Sequence, residues 1–175
     1  MVAWDTVSRP IKFWGLGVKD LRLQGLALRV RWEWLRRTDP SRPWHGLPAL
    51  RDAEALSVFQ SFVQISVGNG ENVMFWTDNW IHGCSASDIA PHVVAAVSSR
   101  RKNTQTVAQG MIVNSWTLDI FEELTEEGLE EYTRMCFEVN TVDRDEQQPD
   151  TFRWKCTSSG VYSAKETYDA LCHGK

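Results

Sequence analysis

A glycine-rich turn near the start of the chain is the first feature whose residue types could bind a phosphate. The stretch KFWGLGVKDLRLQ, residues 12–24, places Gly15 and Gly17 ahead of Lys19. A dinucleotide-binding loop needs a third glycine three positions after the second, and Asp20 occupies that position. A carboxylate at a helix N-terminus stands where a phosphate would bind. The stretch therefore predicts a turn with Asp20 as the helix N-cap, and no cofactor.

The other residue types that could support catalysis or metal binding are scattered along the sequence. The stretch GCSAS, residues 83–87, lacks the final glycine of a Gly-x-Ser-x-Gly nucleophile turn. The histidines lack the spacing of a metal motif, and the cysteines lack that of a zinc finger. These residues are His45, His82, His92, His173, Cys84, Cys136, Cys156 and Cys172. The sequence thus predicts no enzyme, no metal or zinc site, and reduced thiols.

Charge is distributed unevenly along the 175 residues, whose net charge is −4. Residues 1–51 contain ten Lys/Arg and four Asp/Glu, whereas residues 119–150 contain two and twelve. A basic and an acidic segment in one chain indicate binding to nucleic acid or an intramolecular contact between the two segments. Two solvated helix faces are the alternative explanation of the same pattern.

Basic residues around one predicted helix are the candidates for contact with RNA or another nucleic acid. Clustered cations bind phosphates, and tryptophans among them could stack on bases. Trp32 also lies on an apolar stripe with Leu28 and Leu35, which favours a place in the core. The candidate residues are Lys12, Lys19, Arg29, Arg31, Arg36 and Arg37.

A second candidate surface is acidic. Six glutamates between Glu122 and Glu131 put like charges four residues apart, which mildly destabilises an isolated helix. Such a face is either solvated or a docking surface for a basic protein partner. A metal site needs ligands that converge on one point, and a stripe of carboxylates does not provide them.

The elements that would position these residues form an α+β set. Asp20 begins an N-terminal amphipathic helix that the prolines of TDPSRP, residues 38–43, end. Val67–Trp76 predicts a central β-hairpin around Gly-Asn-Gly. The remaining predictions are a helix over 52–63, a polar loop over 98–106, an acidic helix over 122–138, a polar linker over 140–150, and a C-terminal hairpin and helix over 152–171.

The sequence shows no sign of a targeting or membrane-spanning segment. No segment has the apolar core of a signal peptide or the length of a membrane span. The sequence therefore predicts a soluble, intracellular protein without a membrane partner. The final helix, opened by a Ser163–Glu166 capping box, is short, so we expect the chain to stop within a domain.

Three stretches are more specific in combination than any motif above. They are WDTVSRPIKFWGLGVKDLRLQGLALRVRWEWLRR (residues 4–37), VGNGENVMFWTDNWIHG (residues 67–83) and FRWKCTSSGVYSAKETYDAL (residues 152–171). In this order and spacing they resemble the region downstream of the reverse transcriptase domain in plant LINE-type (non-LTR) retrotransposon polyproteins. The resemblance covers nearly the whole chain. It implies a reverse-transcriptase C-terminal connector over residues 1–140, a polar linker over 141–150, and a truncated start of the reverse-transcriptase zinc-binding domain over 151–175.

The resemblance is incomplete at positions that matter for activity. Trp14 replaces the first glycine of the family's Gly-Gly-Leu-Gly turn, and the family's zinc ligands would lie beyond Leu171. The paired aspartates of the polymerase would lie upstream. The resemblance therefore implies a non-catalytic fragment of the polyprotein, which contacts template RNA through the basic helix. The alternative is a domesticated protein–protein interaction module that uses the acidic helix.

Overall fold

The structure is a computed structural model that describes Val7 and residues 16–39, 41–43 and 52–173. In chain order its elements are α1 (Leu21–Thr38), α2 (Ala53–Phe62), β1 (Val63–Ser66), α3 (Ala86–Ile89), α4 (Pro91–Ala95), α5 (Ser99–Thr104), α6 (Val107–Met111), a 3-10 segment (Ile112–Asp119), α7 (Glu126–Thr141), β2 (Thr151–Trp154) and α8 (Ala164–His173). Most described residues are helical, and β1 and β2 pair in a small antiparallel sheet. The predicted α+β class is confirmed.

The chain divides into two compact units. Unit 1 consists of Met1–Val63 together with Arg153–Lys175, and unit 2 consists of Gln64–Phe152. The chain leaves unit 1 within β1 and returns to it within β2. Unit 1 therefore combines residues from the first and the last of the domains that the resemblance implies.

Helix α1 begins where the sequence predicts. The Asp20 carboxylate accepts hydrogen bonds from the backbone N–H groups of Arg22 and Leu23, at 2.9 and 3.3 Å. These bonds satisfy two of the four amides that lack a partner at a helix start. Arg36 and Arg37 lie in the last turn, where positive charge interacts favourably with the helix dipole.

The buried side of α1 is narrower than the apolar stripe in its sequence and leaves out Trp32. Its buried apolar residues recur every three or four positions, as expected for one helix face; they are Leu23, Leu26, Ala27, Val30 and Trp34. Trp32 and Leu28 are 54% and 48% exposed, so the prediction that Trp32 belongs to the core is wrong. The helix has two apolar ridges, and packing within unit 1 decides which of them is buried.

The core of unit 1 is built around Trp154, which is fully buried. Its ring meets Trp34 and Tyr162 edge-on, with centroids 6.0 and 4.8 Å away, and Phe59 lies at 6.0 Å. The indole N–H donates to the hydroxyl of Thr167 on α8 at 3.1 Å. A single side chain thus contacts α1, α2 and α8, and it gives the short C-terminal helix a partner in the core of unit 1.

Unit 2 has a core of aromatic and aliphatic side chains. Phe75 stacks on Trp116 with a centroid distance of 5.8 Å and meets Trp76 edge-on at 5.0 Å. The indole N–H groups of Trp76 and Trp80 donate to Gln105 Oε1 at 2.5 Å and to the Phe75 carbonyl at 2.8 Å. These bonds satisfy polar atoms that would otherwise be costly to bury. The high tryptophan content therefore serves the cores in large part.

No hairpin forms over Val67–Trp76, contrary to the prediction. The amides of Gly68 and Gly70 donate to Oδ1 of Asp150, both at 2.9 Å, and the amide of Asn72 donates to Oδ2 at 2.8 Å. Amides that bind a side chain are not available to a neighbouring strand. The segment is a loop wrapped around a carboxylate, and the sheet is formed by β1 and β2 instead.

Three other elements differ from their predictions. Residues 98–106 contain helix α5 rather than a loop, and Ser98 caps it by accepting from the Arg101 amide at 3.3 Å. The acidic helix begins at Glu126, behind the N-cap Thr125, and not at Glu122. Near the C-terminus β2 confirms the predicted strand, but its partner is β1 rather than a return strand at residues 161–162.

Candidate functional site

The predicted nucleic-acid residues that the structure describes lie on α1 or, for Lys19, just before it, and they differ in their surroundings. Lys12 lies outside the described residues. Lys19 and Arg31 are exposed, and neither forms an ion pair with any residue that the structure describes. Both are therefore available to a phosphate.

Arg29 is exposed but already has acidic neighbours. Its Nε lies 2.7 Å from Asp52 Oδ2, and its Nη2 lies 2.8 Å from Glu54 Oε2. Asp52 is also the N-cap of α2, because its carboxylate accepts from the Ala55 amide at 3.0 Å. The pairing links α1 to α2, but about half of the Arg29 side chain is exposed to solvent, which limits the contribution of these pairs to stability.

Arg36 and Arg37 share one carboxylate. Glu33 Oε2 lies 3.1 Å from Arg36 Nη2 and 2.6 Å from Arg37 Nη1. Arg37 is buried, and its guanidinium carbon lies 4.5 Å from the ring centroid of Phe59. Removal of one partner from such a buried pair is strongly destabilising, so Arg37 holds α1 against α2 and does not face a ligand.

Trp32 is a surface residue with cationic neighbours. Positions three or four apart on a helix are adjacent on its surface, so Arg29 and Arg36 lie on either side of Trp32 along α1. The spacing of Arg29, Trp32 and Arg36 is visible in the sequence. It indicates a binding surface only if Trp32 lies on the exposed side of the helix, which the sequence does not determine. The structure therefore adds Trp32 to the candidate residues of the basic helix.

The acidic residues of α7 are partly explained by structure. Glu126 and Glu127 lie in the first turn, where negative charge is stabilised by the helix dipole. Glu131 accepts from the His92 amide at 2.7 Å and lies 2.7 Å from His92 Nδ1. It thereby covers the N-terminus of α4 and interacts with the His92 ring.

The contact between His92 and Glu131 changes the titration of both groups. The hydrogen bond to Glu131 raises the pKa of His92 above its usual value. Burial raises the pKa of Glu131, but the hydrogen bonds from His92 and Val93 outweigh it and hold this pKa below its usual value. Each group therefore favours the charged form of the other between the two pKa values.

We expect the stability that His92 adds to unit 2 to depend on pH. Since its folded pKa is raised, this contribution is complete below the unfolded pKa of about 6.5 and is lost as pH rises through the folded pKa. The contribution of Glu131, whose pKa is lowered, is lost as pH falls through its folded value. Urea unfolding should show that His92→Gln lowers the midpoint more at pH 5.5 than at pH 8.5. Equal shifts at the two pH values would contradict the assignment, and Glu131→Gln should abolish the difference.

An open pocket of about 610 Å³ lies in unit 1. Burial, and secondly the nearby Glu166 carboxylate, raise the pKa of the Cys156 thiol in its wall. A thiol with a raised pKa is a poor nucleophile at neutral pH. The pocket is lined by Ser61, Phe62, Lys155, Cys156, Glu166 and Ala170, with Asp169 beside them.

The described residues contain neither a cluster of metal ligands nor a membrane-spanning helix. Within residues 16–39, 41–43 and 52–173, no three or more His, Cys, Asp or Glu side chains are grouped so that they could hold a metal ion. No helix in this part of the chain is long and apolar enough to cross a bilayer. Comparison with family models, with curated proteins and with solved structures finds none that matches the chain.

Proposed function

We propose that this chain is a non-catalytic segment of a LINE-type reverse transcriptase polyprotein in which α1 contacts template RNA. The polyprotein origin rests on the three stretches that resemble the region downstream of the reverse transcriptase domain. The RNA contact rests on one observation, the exposure of Trp32 between Arg29 and Arg36 on the outer side of α1. An exposed indole flanked by guanidinium groups suits a nucleic acid with unstacked bases.

The indole would supply stacking and the cations would supply phosphate contacts. Stacking of a base on an aromatic side chain contributes about 1–3 kcal/mol and is independent of sequence. Arg31 provides exposed positive charge at another position on the same helix, and Lys19 provides it just before the helix begins. Single-stranded RNA is therefore the favoured ligand, since the bases of a duplex are already stacked.

The ion pairs of Arg29 do not prevent this role. Exposed pairs contribute only about 0–1 kcal/mol, so a phosphate can replace Asp52 or Glu54 as the partner of the guanidinium. Arg37 is different, because it is buried against Glu33 and Phe59. We therefore assign the RNA contact to Lys19, Arg29, Arg31, Arg36 and Trp32, and we assign a structural role to Arg37.

Fluorescence anisotropy with a labelled 20-nucleotide single-stranded RNA tests the RNA contact. We expect Trp32→Ala to weaken binding about tenfold. Arg31→Ala should weaken it severalfold and reduce the slope of log K against log salt by about 0.7. Arg100→Ala is the matched control, because Arg100 is an exposed arginine of unit 2. RNA binding that is unchanged in Trp32→Ala, or absent at low salt, would overturn the contact.

The polyprotein origin has a separate test. In the genomic sequence around the coding region, we expect a Tyr/Phe-Ala-Asp-Asp motif upstream and a Cys-x-x-Cys…His…Cys pattern downstream, in frame or out of frame. Flanks without either motif would contradict the origin. The test of RNA binding would be unaffected by that result, because it depends on α1 alone.

A further inference from the structure

The outer face of α7 displays apolar side chains that the core of unit 2 does not use. Gly128, Met135 and Val139 form the buried side of this helix. Leu129 and Phe137 lie away from it and are 55% and 67% exposed. With 1.5 Å of rise per residue, they stand about 12 Å apart along one side of the helix.

Exposed carboxylates lie near these apolar residues in the sequence, and the exposed Arg134 is the one basic residue of α7. Glu130 is exposed on α7, and Glu122 and Glu123 are exposed just before it. None of the three forms an ion pair within the described part of the chain. Glu126 and Glu127 are stabilised by the helix N-terminus, and Glu131 by His92, but no such local partner accounts for the other three.

Further exposed apolar residues precede the helix. Leu118 and Phe121 are exposed, and the exposed carboxylates of Glu122 and Glu123 follow Phe121 directly. Single exposed apolar residues are ordinary, but an exposed apolar patch rimmed by polar residues marks an interaction surface. We refer to Leu118, Phe121, Glu122, Glu123, Leu129, Glu130 and Phe137 as the acidic face.

We propose that the acidic face binds a basic amphipathic helix of a partner protein. The carboxylates select positive charge, and the leucine and phenylalanine side chains select a partner with apolar residues on one side. A nucleic acid or an anionic lipid surface would be repelled by the same carboxylates. Helices of this kind bind through apolar anchors at helical spacing, and the exposed ridge of α7 offers matching contacts.

The probe is a labelled 18-residue peptide of lysine and leucine whose sequence forms an amphipathic helix; we call it the ordered peptide. The control is a scrambled peptide of the same composition. Anisotropy with the full chain should show at least tenfold tighter binding of the ordered peptide. Glu130→Lys and Phe137→Ser should each weaken binding about five- to tenfold, with Leu129→Ser as a second apolar variant if Phe137→Ser does not fold. Asp143→Lys makes the same charge change elsewhere on unit 2 and should have no effect.

Three results would overturn the proposal. The first is equal affinity for the ordered and scrambled peptides, and the second is binding that Glu130→Lys leaves unchanged. The third is concentration-dependent self-association that Glu130→Lys abolishes in sedimentation velocity, since the occupant would then be a second copy of this chain. Trp32→Ala should not alter peptide binding, so this proposal and the RNA contact succeed or fail separately.

Discussion

Trp154→Ala is expected to destabilise unit 1 by about 4 kcal/mol, because truncation of a buried tryptophan removes its packing and leaves a cavity. The ring lies against Trp34, Phe59 and Tyr162, and its N–H is bonded to Thr167. All four partners would lose contacts, and the Thr167 hydroxyl would lose its donor. Guanidinium unfolding followed by circular dichroism measures the change.

Trp32→Ala is the matched control for this prediction. It makes the same substitution on α1, at a side chain that is 54% exposed, and we expect it to cost only about 1 kcal/mol. Hydrogen exchange then identifies the affected unit, since α1 and α8 should lose protection in Trp154→Ala while unit 2 keeps it. Similar losses in the two variants would contradict the central position of Trp154.

Asp150→Ala has the second largest expected effect, a loss of about 3 kcal/mol in the stability of unit 2. Three backbone amides, those of Gly68, Gly70 and Asn72, depend on this one carboxylate. An amide left without a partner costs about 1–3 kcal/mol when it is buried, and partial access to water reduces the sum. The amide exchange rates of these three residues, measured by NMR, should rise together.

Two further variants refine this test. Asp150→Asn keeps one carbonyl oxygen as an acceptor, so we expect it to cost less than Asp150→Ala. Asp143→Ala removes an exposed carboxylate from the same segment and should leave stability unchanged within about 0.5 kcal/mol. If Asp150→Ala did not differ from Asp143→Ala, the loop around residues 68–72 would not depend on the carboxylate.

The parts of the fold that follow from local sequence were predictable. Asp20 caps α1, proline residues follow its end, and alternation of Phe152 and Trp154 with polar residues marks β2. The hairpin prediction failed because the partner of the Gly-Asn-Gly-Glu loop is Asp150, 78–82 residues away in the chain. No local pattern contains that contact. The same contact joins the segment before β2, predicted as a linker, to the loop at residues 68–72 of unit 2.

The candidate site also depends on a contact between residues that are far apart in the sequence. Trp32 and Trp34 are equally apolar and two positions apart, so periodicity alone cannot say which one is buried. The choice is made by Trp154, which packs on Trp34 from the far end of the chain. Because Trp32 then remains exposed, the residue that sequence reasoning assigned to the core became the main support for an RNA contact.

The discontinuity of unit 1 has a consequence for synthesis on the ribosome. Residues 64–152 must be translated before Arg153–Lys175 can join Met1–Val63. At about 5–20 residues per second, this takes roughly 5–20 s. During that interval Trp34 has emerged without Trp154, and part of the apolar side of α1 has no cover. The nascent chain is therefore expected to need a holding chaperone at α1 while unit 2, which is continuous in sequence, folds first.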